Sequence, residues 1–188
     1  MINYAFEYLK LKLKDIINYP IISYKNKDFK IKLCEPDVVK NLVVVHYGRK
    51  HFDSHFFEPI KNINYFKPEG GLWTSPVNSN YGWIDWNRDY KWIFCNPLIS
   101  FKLKFYDDAK IMIIDSKEDL DELPTYTVKE FGHKEVEYVD FKRLSKVCDA
   151  IWLTEKGVEE TESSYPVSLS GWDCETILIM NKNCCYQI

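Results

Sequence analysis

The chain has 188 residues, enough for one domain with a sizeable core, and its hydrophobic (46%) and charged (28%) fractions are typical of globular proteins. The net charge of −3 shows no basic excess of the kind that marks nucleic-acid-binding proteins. No apolar run is long enough to span a bilayer, and no secretory signal pattern is present. We therefore expect a cytoplasmic protein that does not enter a membrane.

Charge and cysteine content bound the chemistry further. Residues 1–40 carry eight lysines and five acidic residues (net +3), whereas residues 107–140 carry four lysines and eleven acidic residues (net −7). The simpler interpretation of this uneven charge is two solvated faces of the protein. The alternative is a basic face that binds an acidic or phosphorylated partner. The six cysteines form neither a C-x-x-C pair nor a zinc spacing, so we expect core thiols and no metal site. Cys184 and Cys185 should point to opposite faces of a strand.

The first half of the chain predicts few but distinct elements. Residues 1–17 fit both a strand period and one helical face, and we favour a helix. Strands are predicted at 28–34, 42–46 and 71–75, and a helix over 81–90. Residues 50–69 are expected to form an ordered loop. Pro76 should end the third strand, because proline lacks the N–H that a strand ladder needs.

The second half alternates strands with short helices. Strands are predicted at 99–105, 110–116, 150–153, 175–180 and in the last residues. Helices are predicted over 117–123, capped by Ser116, and over 140–148, capped by Asp140. Residues 154–170 should be a loop. These elements predict an α+β fold of mostly antiparallel strands with flanking helices, in a single domain over 1–188 that includes an N-terminal extension at 1–40.

The segment VVVHYGR (43–49) is the first candidate for chemistry. His46 ends a buried β-branched strand, and Gly48 follows closely, where the missing side chain lets a ligand approach the backbone. The alternative is a structural histidine whose ring nitrogens are hydrogen-bonded at the end of the strand.

The segment GGLWTSP (70–76) is the second candidate. Its two glycines give a tight entry into a strand, and Trp73, Tyr81 and Trp83 have the flat rings of an aromatic slot. Ordinary core aromatics are the alternative.

The segment SGWDCETILIM (170–180) is the third candidate. Glu175 opens an apolar strand, with Asp173 and Trp172 just before it. An acid at this position is costly unless it is solvated or paired, and it suits an electropositive transition state. A solvated acid at the edge of a sheet is the alternative.

Taken in order, these motifs resemble the ADP-ribosyltransferase family, in the branch of diphtheria toxin and the poly(ADP-ribose) polymerases. His46, Trp73 in GLWTS and Glu175 in ETILIM match its histidine, aromatic and glutamate strands over residues 42–188. Two departures stand out: Tyr47 separates His46 from Gly48, and Trp73 replaces the usual tyrosine. The resemblance implies an ADP-ribosyltransferase-like split β-sandwich with NAD as co-substrate, and with His46, Trp73 and Glu175 around one cleft.

The resemblance also implies roles for individual residues. His46 would bond a ribose hydroxyl of NAD, and the backbone near Tyr47 and Gly48 would meet the nicotinamide amide. Trp73 or Tyr81 would stack on the nicotinamide ring. Ser75 would support Glu175, whose carboxylate would bond the ribose 2′-hydroxyl and stabilise positive charge. Asp173 and Trp172 would lie on the acceptor side.

The expected activity is mono-ADP-ribosylation of a host protein or nucleic acid by a toxin, an effector or a phage-type modifier. A neutralising antitoxin or a host complex is a further partner implied by such a role. Two alternatives remain open. One is an NAD glycohydrolase on the same fold, and the other is a non-catalytic inhibitor or binding module.

Overall fold

The computed structural model describes residues 21–25, 28–63, 65–91, 96–129 and 135–188. The helix expected within residues 1–17 and the side chain of Cys95 lie outside these ranges. The strands are β1 (Ile21–Tyr24), β2 (Val43–Tyr47), β3 (Leu72–Pro76), β4 (Ser100–Phe105), β5 (Ile111–Ile114), β6 (Thr125–Lys129), β7 (Val136–Val139), β8 (Ala150–Leu153), β9 (Thr176–Ile179) and β10 (Cys185–Gln187). The helices are α1 (Pro36–Asn41), α2 (Trp83–Asp89), α3 (Lys117–Asp121), α4 (Phe141–Leu144) and α5 (Glu155–Thr161).

Seven of these strands form one sheet in the order β10-β4-β2-β3-β9-β8-β5. Every pairing in it is antiparallel except that of β5 with β8. A second, antiparallel sheet has the order β1-β6-β7. The fold is therefore α+β with mostly antiparallel sheets, as the sequence predicts.

The seven-stranded sheet is a central layer with a hydrophobic cluster on each face. Alternate strand residues enter opposite clusters: Ile151 and Leu178 enter one, whereas Ala150 and Ile177 enter the other. Strands buried on both faces read as continuous apolar runs, which is why AIWL and ETILIM are easily recognised.

The predicted helix caps are confirmed. The Ser116 hydroxyl accepts the Asp119 N–H (3.2 Å), and the Asp140 carboxylate accepts the Arg143 N–H (3.0 Å). The helix after Asp140 is shorter than expected and ends at Leu144.

Some predictions from residue patterns are wrong, beginning with the strand at 28–34. Residues 28–34 do not form a strand. They contact the edge of β5 through a bridge between Leu33 and Met112, and Pro36 then starts α1 in the helical conformation that proline favours. The prediction missed α1 and also missed the hairpin of β6 and β7.

The loop predicted over 154–170 contains α5. The Thr154 hydroxyl caps this helix by accepting the Gly157 N–H at 3.0 Å. Gly157 brings the helix against the sheet, because a Cβ there would lie 2.2 Å from the carbonyl oxygen of Ile114. The helix was not predicted because the segment is polar and packs against the sheet through a glycine rather than through a large apolar side chain.

The five cysteines within the described residues are free and buried, so their prediction as core residues is confirmed. The prediction for Cys184 and Cys185 is wrong. Cys184 precedes β10, strand alternation does not govern it, and both thiols enter the same cluster. Within the described ranges, no helix combines the length and the apolar character needed to cross a membrane.

Candidate functional site

The three strands that carry the sequence motifs are consecutive neighbours in the seven-stranded sheet. β3, with Trp73 and Ser75, lies between β2, with His46, and β9, which Glu175 precedes. β2 pairs with β3 at Val44–Pro76 and Val45–Ser75. We call this short pairing the β2–β3 seam. The sheet thus joins segments that are far apart in sequence.

The ring of His46 lies where the seam ends. Its Nδ1 is 2.8 Å from the carbonyl oxygen of Trp73, and because a carbonyl oxygen only accepts, Nδ1 carries the proton. Nε2 is therefore an acceptor in the neutral ring. Burial lowers the pKa of His46 from its ordinary value of 6.5, the bond to Trp73 opposes this shift, and the charge of nearby Arg49 adds to the lowering.

A cavity of about 190 Å³ opens beside His46. Phe52, Phe56 and Phe101 contribute aromatic side chains to its wall. The Phe101 ring lies 5.1 Å from the His46 ring, and the Arg49 guanidinium lies 4.0 Å over the Phe56 ring. This combination suits a flat ring with an anionic group beside it.

A second cavity, of about 260 Å³, lies on the opposite face of the seam. Tyr47 and Ser75 line it, together with Ser79 and Trp83 at the start of α2. The Ser79 hydroxyl and the Trp83 indole N–H are buried without a hydrogen-bond partner among the described residues. Buried polar atoms of this kind are satisfied by a bound molecule or by water.

Gly48 has a φ of +106°, and a Cβ there would meet nothing within 4 Å. The chain beside it is therefore open to a ligand. Its own N–H already donates to the carbonyl of Ile99 at 2.8 Å, so this amide is not free to bind nicotinamide.

Glu175 is held by a set of hydrogen bonds at the start of β9. Its N–H donates to the Tyr81 carbonyl (3.2 Å), and its carbonyl accepts the Ser75 hydroxyl (3.2 Å). The Ser75 oxygen in turn accepts the Trp83 N–H at 3.0 Å. The Trp152 indole donates to Glu175 Oε1 at 2.8 Å. With only 9% of the residue exposed, this carboxylate is buried and oriented.

The structure thus brings Ser75, Tyr81 and Glu175 together, as the resemblance implies. Glu175 does not line the His46 cavity, and Trp73 lines it while its carbonyl faces His46. Strand alternation places the Trp73 side chain on the face opposite His46, because Trp73 shares the Ser75 face and His46 shares the Val44 face.

Glu175 is on the same face as His46, but two strands away. Strand spacing and rise put their Cα atoms about 12 Å apart. Val44, Thr74 and Ile177, all fully buried, occupy the sheet between them. The two side chains can therefore contact one ligand only if that ligand is elongated.

Trp172, expected on the acceptor side, is a core residue instead. It is 1% exposed, its ring lies 4.8 Å from that of Trp73, and its indole donates to the Phe66 carbonyl at 3.1 Å. Asp173 is partly exposed and pairs with Lys67 at 3.6 Å. The apolar surroundings of Trp172 explain the error, since an indole with its N–H bonded to a carbonyl is well satisfied in a core.

The double glycine that leads into β3 is required by close packing. Gly70 and Gly71 have φ values of +86° and +67°. A Cβ at Gly70 would lie 2.3 Å from the Pro59 carbonyl oxygen, and one at Gly71 would lie 2.7 Å from that of Ile179. The turn therefore fixes the entry of β3 against both the 50–69 loop and β9.

The sequence predictions missed Trp152, Arg49 and the phenylalanines beside His46. The AIWL strand indicated that Trp152 would be near the sheet, but nothing in sequence showed that its strand would pair with the one that Glu175 opens. Within the residues that the structure describes, His, Cys, Asp and Glu side chains form no group of three or more suited to a metal.

Comparison of the chain with protein-family models, curated proteins and solved structures finds no match. The class that the structure itself defines is an α+β protein built on a mostly antiparallel central sheet, with polar and aromatic side chains gathered around the seam and the start of β9.

Proposed function

We propose that this protein is an NAD-dependent ADP-ribosyltransferase with a split β-sandwich fold. The observation that carries the proposal is the adjacency of the three motif strands, β2, β3 and β9, combined with the hydrogen bonds that hold Glu175. The resemblance rests on the order of the motifs along the chain, and the adjacency of their strands in one sheet is a separate property of the fold that supports it.

Glu175 is the residue that we assign to the chemical step. In ADP-ribosyl transfer the bond between C1′ of the ribose and the nicotinamide nitrogen breaks, its electron pair leaves with nicotinamide, and the ribose becomes oxocarbenium-like. An acceptor nucleophile then bonds to C1′ and loses its proton. A carboxylate fixed beforehand by the Trp152 indole stabilises that positive charge without reorganising.

His46 and its cavity fit the other end of an elongated dinucleotide. The neutral ring presents Nε2 as an acceptor for a ribose hydroxyl, and the exposed Phe56 offers an aromatic side chain to a base. Arg49 supplies a cation for a phosphate. A separation of about 12 Å between His46 and Glu175 supports contacts with different parts of NAD rather than with one ribose.

Trp73 takes a different role from the one that the resemblance implies. Its carbonyl orients His46, while its ring packs against Trp172. Tyr81 is the ring that we assign to the nicotinamide side, because its backbone is bonded to Glu175. The acceptor is a protein or a nucleic acid, and Asp173 is the polar residue that we assign to the acceptor side.

The test compares wild type with Glu175→Gln and with the control Glu159→Gln, an exposed acid on α5. Nicotinamide release from labelled NAD is measured with and without cell lysate. We expect Glu175→Gln to lose about 100-fold or more in turnover, the loss typical of one interaction that stabilises a transition state, while it retains NAD binding. The control should match wild type.

Label on a macromolecule identifies a transferase, and free ADP-ribose alone identifies a glycohydrolase. Wild-type turnover by Glu175→Gln would contradict the role of Glu175. If NAD neither raises the melting temperature nor is consumed, while a stoichiometric partner is recovered, the protein is a binding module and the proposal is wrong.

A further inference from the structure

A third cavity lies away from the residues assigned to NAD and is larger than the two at the seam, at about 710 Å³. Three connections line it, namely the turn from β4 to β5, the segment between α4 and β8 and the turn from β9 to β10, together with Phe57 and Pro59 of the 50–69 loop. Each connection contributes one exposed lysine, namely Lys110, Lys146 and Lys182. We call this the three-lysine cavity.

The three lysines form no ion pair with any described residue. Two carboxylates also line the cavity, Asp108 and Asp149. Asp149 is already engaged: Oδ2 accepts the Lys110 N–H (2.8 Å), and Oδ1 accepts the Asn181 side-chain amide (2.7 Å). These two hydrogen bonds hold together the three connections that line the cavity.

The buried side chains in the rest of the cavity lining carry no charge. Burial raises the pKa of the Cys148 thiol to about 12, so this group adds no negative charge near neutral pH. The Cys148 thiol also donates to the Leu144 carbonyl at 3.4 Å. The three lysines and two carboxylates therefore leave a net charge of +1 along the lining of a concave, polar space, in a chain whose net charge is −3.

We propose that the three-lysine cavity binds the phosphate groups of a small polyphosphate-bearing molecule, such as a nucleoside di- or triphosphate. Lysine ammonium groups bind phosphate as point charges, and the cavity volume falls within the usual range for small-molecule sites. A nucleic-acid strand fits less well, because it would extend beyond the three lysines along a chain whose net charge is −3.

This site is separate from the proposed NAD site. Phe57 lines both the three-lysine cavity and the His46 cavity, but no lysine is shared between them. The inference goes beyond the proposed function and does not depend on it. Occupancy of the larger cavity would place an anion beside the loop that also borders His46.

Binding of inorganic tripolyphosphate and of ADP is measured by titration calorimetry at low salt. The variant replaces Lys110, Lys146 and Lys182 with glutamine. The matched control replaces Lys30, Lys40 and Lys91, exposed lysines that do not line this cavity. We expect the cavity variant to lose affinity by about tenfold or more for each lysine that contacts a phosphate, and the control to bind like wild type.

Replacing the same three lysines with arginine should retain binding, which separates loss of charge from loss of fold. Absence of tripolyphosphate and ADP binding to the wild type, or an equal loss in the control, would overturn the proposal. Tighter binding of a single-stranded oligonucleotide, lost in the same variant, would overturn the small-molecule assignment. Nicotinamide release by the cavity variant should equal that of wild type, so the two proposals fail independently.

Discussion

The hydrogen bond from Trp152 to Glu175 makes the clearest energetic prediction. The indole N–H lies 2.8 Å from Oε1 of a carboxylate whose residue is 9% exposed. A hydrogen bond to a charged group contributes about 1.5–3 kcal/mol to stability. Most of this energy is lost when the donor is removed, because the carboxylate is then buried without a hydrogen-bond donor. Trp152→Phe keeps an aromatic ring but removes the donor, so we expect the free energy of unfolding to fall by about 2 kcal/mol from this bond.

A double-mutant cycle separates the bond from packing. Wild type, Trp152→Phe, Glu175→Leu and the double variant are unfolded in urea at neutral pH, and the coupling energy is obtained from the four stabilities. Replacing the indole by a phenyl ring loses the same packing energy whether residue 175 is glutamate or leucine, so this energy cancels in the coupling energy. We expect a coupling of about 2 kcal/mol.

A coupling below about 0.5 kcal/mol, the additivity expected of independent sites, would refute the inference that the indole holds the carboxylate. A Trp152→Phe variant that is less stable by the expected amount, but equally so when Glu175 is leucine, would assign the loss to packing alone. In that case the orientation of Glu175 would rest on its backbone bonds to Ser75 and Tyr81.

Burial lowers the pKa of His46, so the unfolded chain binds a proton at this histidine more readily than the folded chain does. The wild-type protein should therefore lose stability as the pH falls from about 6.5 through the lower pKa of the folded state. In urea titrations at a series of pH values, His46→Gln should remove this loss, whereas the control His51→Gln should retain it. Gly157→Ala should destabilise by about 3 kcal/mol, because the new Cβ would lie 2.2 Å from the Ile114 carbonyl oxygen. Gly48→Ala is its matched control: it has open space but a φ of +106°, and it should cost about 1 kcal/mol in thermal or urea unfolding.

Sequence periodicity predicts the strands that the sheet buries on both faces. Val43–Tyr47 and Thr176–Ile179 stand out because their residues are apolar at almost every position. The same approach fails for α1 and α5. One is too short to show a helical repeat, and the other packs through Gly157, which contributes no apolar side chain to the pattern.

The site was only partly predictable for a related reason. Order along the chain indicates which strands matter, and β2, β3 and β9 are indeed neighbours. Which face a side chain takes depends on register, and a shift of one residue reverses it. The Trp73 ring is therefore opposite His46, and the partner of Glu175 comes from β8, whose pairing no local pattern specifies.

The β2–β3 seam divides the central sheet into two groups of strands. On one side β10, β4 and β2 form one panel, and on the other β3, β9, β8 and β5 form a second. Two residue pairs of the strand ladder join the panels, with a further bond from the Val77 N–H to the Val43 carbonyl at 2.9 Å, whereas β2 pairs with β4 along five. The His46 bond to the Trp73 carbonyl also crosses the seam. Both cavities beside the seam are lined from both panels, by His46 and Leu72 in one and by Tyr47 and Ser75 in the other, so a molecule bound in either cavity bridges the two panels.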